Sequence, residues 1–217
     1  MKNCTIRAII WDVGNIFVTF DYSRACKKLA LHSKKSAEDI YTTLFSGDKT
    51  LTKLHDSGQI TSQDFFLKIK DVLNLSDNLS FEEFCDIWKD IFQENKEILE
   101  VFGALNPSIK MCTLSNTDPI HWSAVDELSV IKKYFPDESL LTRSYTSGVS
   151  KPEVKIYQDA IACLGLKEEN IGDIIYIEDV PEYRNVFENM GGNTISYDYS
   201  KDTIEVLKDG LRKFGLL

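Results

Sequence analysis

The chain has 217 residues, 43% of them apolar, which is enough to bury one large core, or a medium core with a small accessory domain, and too apolar for a disordered tail. Its 25 Lys and Arg stand against 34 Asp and Glu, for a formal net charge of -9. Such a surface repels polyphosphate backbones and argues against a nucleic-acid scaffold, but leaves room for a small phosphorylated metabolite or a single phosphorylated side chain in a locally positive pocket.

The N-terminal MKNCTIRAIIW reaches Asp12 after an apolar run too short for a signal sequence or a membrane span. Residues 6–11, IRAIIW, are expected to form a buried parallel strand ending at that acid. About ninety residues follow that hold helical stretches such as DFFLKIKDVLNL and FEEFCDIWKDIF and little that reads as strand. An insertion of this size reads as a lid. It is placed at residues 19–94, leaving 1–18 and 95–217 as the core domain.

Further strand-like runs are IKMCTL (109–114), DIIYIED (173–179) and NTISYD (193–198). Between them, Ile156, Ala160, Cys163 and Leu164 recur at helical spacing, and Gly165 stands where a helix C-terminus takes a glycine. Ile204, Leu207, Leu211 and Phe214 repeat the helical pattern in a tail expected to cover a sheet edge. The tail ends without a polar segment, which fits one domain of something longer. The alternation predicts an α/β fold with a Rossmann-like parallel sheet and ligands beyond the carboxyl ends of its strands.

Cys4, Cys26, Cys85, Cys112 and Cys163 are odd in number, scattered and free of CxxC spacing. They read as reduced thiols in a soluble, cytoplasmic protein. No pair among His32, His55 and His121 has ligand spacing, so surface or capping duty is expected of all three.

Four features fall where strands end: Asp12 in WDVGN, Ser115 and Asn116 in LSNT, Lys151 in SKPEVKIY, and Glu178 with Asp179 in IEDVPEYRN. Each alone is ordinary helix-capping or turn chemistry. Together they gather three carboxylates, a lysine and a hydroxyl at one sheet edge, where the like charges repel unless a cation joins them. Magnesium takes oxygen ligands and usually keeps waters and a phosphate oxygen, so a few carboxylates suffice.

In order and spacing these residues resemble the four motifs of the haloacid dehalogenase-like (HAD) hydrolases, with Asn185 completing the fourth. The resemblance spans residues 6–198 and is strongest to the helical-cap bacterial sugar-phosphate phosphatases. It implies that Asp12 attacks phosphorus to give an aspartyl-phosphate that water hydrolyses. It further implies that Asp12, the Gly14 carbonyl and Glu178 or Asp179 ligate Mg²⁺, and that Ser115 and the Asn116 amide hold phosphate oxygens. Lys151 would neutralise nucleophile and phosphate.

One position departs from the pattern. Most phosphatases of this family carry a second aspartate two residues after the nucleophile as general acid and base, and here that residue is Gly14. Losing such an acid costs roughly 10²- to 10⁴-fold, most for poor leaving groups, so aryl esters like phosphotyrosine or anomeric phosphates are expected to be favoured. Asp21 is the nearest candidate replacement, although an N-cap is its simpler role. The same glycine fits a binding protein that does not turn its phospho-ligand over. A dehalogenase attacking carbon without a metal is the third reading, disfavoured by Glu178 and Asp179. In the lid, Tyr22, Arg24, Tyr41, His55 and Gln59 are candidate substrate contacts.

Overall fold

The computed structural model describes residues 5–46 and 50–217. Strand β1 (Ala8–Trp11) is buried along its whole length because it is the middle of a sheet covered on both faces. Its side chains alternate: Ile9 and Trp11 pack with Phe102, Phe135, Leu207 and Leu211 on one face, Ala8 and Ile10 with Ile156, Tyr157, Ala160 and Phe187 on the other.

After β1 the chain makes a tight turn and forms β2 (Val18–Phe20), which pairs antiparallel with β3 (Phe92–Glu94) as a two-stranded ribbon. Among the described residues, five α-helices lie between these strands, α1 (Tyr22–Leu29), α2 (Ala37–Tyr41), α3 (Thr50–Asp56), α4 (Ser62–Leu73) and α5 (Phe81–Lys89). Asp21, Ser36, Thr61 and Ser80 begin α1, α2, α4 and α5 by accepting bonds from the backbone N–H groups two or three residues further on. Cys26, Leu29, Phe65, Ile69, Phe84 and Trp88 give this helical cap an apolar core of its own.

The chain returns through α6 (Ile98–Ala104), β4 (Lys110–Ser115), α7 (Pro119–Val125), α8 (Ser129–Tyr134), β5 (Leu141–Arg143) and α9 (Ser144–Ser147). It closes with α10 (Val154–Cys163), β6 (Ile174–Glu178), α11 (Pro181–Asn189), β7 (Asn193–Ser196) and α12 (Ile204–Lys213). Among the described residues, five strands make one parallel sheet in the order β5–β4–β1–β6–β7. This is the expected Rossmann-like core carrying a helical cap. Gly165 ends α10 at φ +65°, and α12 lies against β7 so closely that a Cβ on Gly210 would sit 2.7 Å from Ile195.

Two features depart from the expectation. The ribbon β2–β3 and the edge strand β5 have three residues each, too few for alternation to register in the sequence. Cys26 and Cys112 are buried, Cys85 and Cys163 partly so, all four as free thiols; Cys4 lies outside the described residues. No helix among the described residues is long and apolar enough to cross a membrane.

Candidate active site

The parallel register aligns the strand ends. Trp11 is level with Thr113 of β4 and Ile177 of β6, so Asp12, Ser115 and Glu178 emerge together at the carboxyl edge. Asp12 is fixed there by its N–H, which donates to the Ile177 carbonyl at 3.0 Å. The turn that follows holds Asn15 at φ +52°, and the Asn15 side-chain amide donates to Asp179 Oδ2 at 2.9 Å. That bond ties the nucleophile loop to the end of β6.

Lys151 reaches the same point from the loop before α10. Its buried ammonium donates to Asp12 Oδ1 at 2.7 Å and to Glu178 Oε2 at 2.8 Å. The Asn116 side chain brackets the Lys151 backbone, its Oδ1 accepting from the Lys151 N–H at 2.8 Å and its Nδ2 donating to the Lys151 carbonyl at 3.1 Å. Only the main-chain amide of Asn116 is therefore left for a ligand. Ser115 lines the cavity, and its hydroxyl has no hydrogen-bond partner among the described residues.

Glu178 and Asp179 differ sharply in what they have left to offer. Glu178 is saturated: Oε2 takes Lys151 and the Tyr176 hydroxyl, and Oε1 takes the Val180 N–H at 3.0 Å. Arg184 fixes the backbone below by donating to the carbonyls of Glu178 and Asp179, both at 2.8 Å. Asp179 accepts from Asn15 on Oδ2 and lines the cavity beside Glu178.

The charges do not balance. Burial, with Glu178 alongside, pushes the Asp12 carboxyl up to about 8 against the pull of Lys151. Burial and Glu178 push Asp179 up to about 6. Burial opposes the Lys151 charge, yet Asp12 and Glu178 hold the ammonium well above its ordinary range. Oxygens of Asp12, Glu178 and Asp179 all lie within 4.8 Å of one another, and one ammonium cannot neutralise three carboxylates. An all-oxygen donor set with surplus negative charge fits a hard divalent cation.

The cavity over these groups measures about 270 Å³. Beyond the acids and Lys151 its walls include Phe20, Tyr22, Phe92, His121 and Tyr183. Gly14 is present as backbone: a Cβ there would lie 3.2 Å from Cε1 of Phe20.

Similarity to known proteins is visible in the fold and not in the sequence: no family model matches the chain, and no curated protein does. An HAD family enzyme from Bacteroides thetaiotaomicron, solved as a magnesium complex, superposes with a TM-score of 0.73 at 18% identity over 94% of this chain and 99% of that one. The same enzyme has been solved with magnesium and inorganic phosphate together. A protein described as a predicted HAD-like family hydrolase from Porphyromonas gingivalis gives 0.74 at 20% identity, over 96% and 98% of the two chains. The L-2-haloacid dehalogenase of Xanthobacter autotrophicus gives 0.58 at 14%, over 98% and 84%. The chain has the HAD-like fold. In it, the five side chains named from the HAD-like motifs, Asp12, Ser115, Lys151, Glu178 and Asp179, line one cavity.

The remaining candidates divide: Asp21 takes the simpler of its two roles, and most of the cap residues stand away from the cavity. Asp21 is exposed, accepts from the Ser23 N–H at 2.9 Å and is held below its ordinary range by those bonds, so it serves as the N-cap and is absent from the cavity wall. Of the cap candidates Tyr22 lines the cavity, whereas Arg24 pairs with Asp90 at 2.7 Å, Tyr41 is surface-exposed and Gln59 bonds Ser57 outside it. His32 is superficial as expected, but His55 and His121 are buried. Asp118 draws both inward: its carboxylate caps α7 through the N–H groups of Ile120 and His121 and lies 2.6 Å from His121 Nδ1 and 3.8 Å from His55 Nδ1. The i,i+3 spacing of Asp118 and His121 was the available signal, masked by the Asp-Pro turn chemistry around it.

Proposed function

We propose that the protein is a magnesium-dependent phosphomonoester hydrolase. The observation that carries the reading is the bridge from Lys151 to both Asp12 and Glu178, with the uncommitted Ser115 hydroxyl and the Asp179 carboxylate on the same cavity wall. The magnesium and phosphate bound by the Bacteroides enzyme of this fold support it.

Asp12, the Gly14 carbonyl and Asp179 would hold the ion, with Glu178 spent on positioning Lys151. Bound there, a divalent ion supplies charge stabilisation to the transferring phosphoryl group. The Ser115 hydroxyl and the Asn116 main-chain amide hold phosphate oxygens, and Lys151 offsets the charge of Asp12 and of the phosphate. An Asp12 oxygen attacks phosphorus as the ester oxygen departs; water then cleaves the aspartyl-phosphate, releasing phosphate and restoring the carboxylate. With no acid at position 14, departure depends on the leaving group itself, which favours aryl or anomeric phosphates by up to roughly 10²- to 10⁴-fold over alkyl esters.

The test is a panel of phosphate esters assayed with magnesium, with chelator, and with Asp12→Asn. Turnover should vanish with chelator and fall by roughly 10³-fold or more in the variant. Turnover that survives both refutes the reading. Turnover of a haloacid that survives chelation favours attack on carbon, and ligand binding without turnover favours a binding protein.

A further inference from the structure

Resting on that reading, we infer that the cavity is built for the aryl monoesters of phosphoric acid, with Phe20, Tyr22 and Phe92 seating the aromatic leaving group. The first observation is where the Phe20 ring stands. It lies 3.2 Å from the place where a side chain on residue 14 would begin, and it remains 40% exposed at the cavity wall. The phenyl ring thus stands close against the position from which a proton donor at residue 14 would start, and leaves an apolar face open to a ligand.

The neighbouring wall is aromatic as well. The Tyr22 ring centroid is 5.5 Å from that of Phe20, and Phe92 is the residue opposite Phe20 in the β2–β3 ribbon. Tyr22 and Phe92 both meet His121, at 5.9 and 5.5 Å between centroids, so the rings form one continuous surface. An apolar void of about 150 Å³ accepts a benzene molecule. The cavity, at about 270 Å³, therefore has room for one ring beside a phosphate group.

The third observation is how few polar groups are left over. The Asn15 amide is spent on Asp179, the Asn116 side chain on Lys151, and the Thr117 hydroxyl on the Asp118 carbonyl. Both ring nitrogens of His121 are taken, by Asp118 at 2.6 Å and by the Trp88 carbonyl at 3.1 Å. Among the side chains lining this cavity, outside the phosphate and metal groups, the Tyr22 and Tyr183 hydroxyls are what remains; further polar side chains, Asp56 and Gln59 among them, line a neighbouring cavity that shares Lys151 and Tyr183 with it. A sugar would bury several hydroxyls against groups unable to bond them, an arrangement that costs affinity for each one. A flat aryl group asks for no such partners and gains from stacking.

The experiment is calorimetric titration of the protein in magnesium with inorganic phosphate, methylphosphonate, benzylphosphonate and a non-hydrolysable sugar phosphate analogue in which carbon replaces the bridging oxygen of glucose 1-phosphate, so that binding is read apart from leaving-group reactivity. Benzylphosphonate should bind about ten-fold more tightly than methylphosphonate, and the sugar analogue should gain nothing over it. Phe20→Leu, which keeps apolar bulk in the ribbon, and Phe20→Ala should both bring the benzyl-to-methyl ratio close to one. Equal binding of benzylphosphonate and methylphosphonate, a ratio unchanged by either substitution, or tightest binding of the sugar analogue overturns the aryl seat while the phosphohydrolase reading stands. Failure to bind inorganic phosphate removes the phosphohydrolase reading and the seat with it.

Discussion

Asp118 Oδ2 and His121 Nδ1 meet at 2.6 Å in a buried pair where the cap rests on the core. Trp88 of the cap joins them from above, its indole N–H donating to Asp118 at 3.3 Å and its carbonyl accepting from His121. With an acceptor at each nitrogen the ring is an imidazolium.

Burial alone would lower His121, but Asp118 and then Asp56 raise it above the ordinary histidine range; burial would raise Asp118, but His121 and His55 hold it well below the carboxylate range. A raised folded pKa gives stability that is complete below the unfolded value of about 6.5 and is lost as pH rises through the folded value. The Asp118 contribution has the opposite sense, present above about 4 and lost as pH falls through its lowered value. His121→Gln should therefore lose about 3–5 kcal/mol at pH 5 to 6, and the gap to the wild type should narrow at pH 9. Urea denaturation at the two pH values measures it; a gap independent of pH would mean a neutral ring.

Gly14 and Phe20 should behave as one unit. Gly14→Asp alone should rescue turnover of alkyl phosphates less than the double variant does, because the new side chain would begin 3.2 Å from the Phe20 ring, which must give way by a few tenths of an ångström. Gly14→Asp with Phe20→Ala should raise alkyl relative to aryl turnover toward the roughly 10²-fold end of general acid catalysis. Steady-state rates on phenyl and ethyl phosphate give the ratio.

Lys151→Met leaves Asp12 and Glu178 buried without their counter-charge. Removing one member of a buried ionic network costs about 3–5 kcal/mol, which denaturation in chelator should show. The same substitution should abolish turnover in magnesium, since the phosphate and nucleophile would then repel.

Gly58 fixes how the cap meets the core. It sits at φ +68°, and a Cβ would lie 2.2 Å from the Tyr145 carbonyl oxygen, beside the place where the Ser144 hydroxyl donates to the Asp56 carbonyl. Gly58→Ala should destabilise the protein by about 2–4 kcal/mol through strain and the clash together. Denaturation measures the loss, and limited proteolysis should find faster cleavage in the cap.

Strands β1, β4, β6 and β7, with α10 and α12, were legible because apolar residues repeat along them at the strand or helix period. So were the five charged and hydroxyl side chains of the cleft, because each follows such a strand or opens such a helix. What stayed hidden was contact at a distance. Nothing near Gly14 in the sequence says that Phe20 fills its space, since the turn held by Asn15 brings them together. Likewise the Asp118–His121 pair looked like a helix start, and its partners Trp88 and His55 lie 30 or more residues away on the cap.

The ribbon made by β2 and β3 contains both points at which the chain passes between core and cap, and their pairing locks the two crossings together. Neither connection can slide along its partner without breaking that pairing. Phe20 and Phe92 are themselves part of that joint, so any tilt of the cap redraws the aromatic wall in the same motion. The joint between cap and core and the aromatic side of the cleft are thereby one and the same piece of chain.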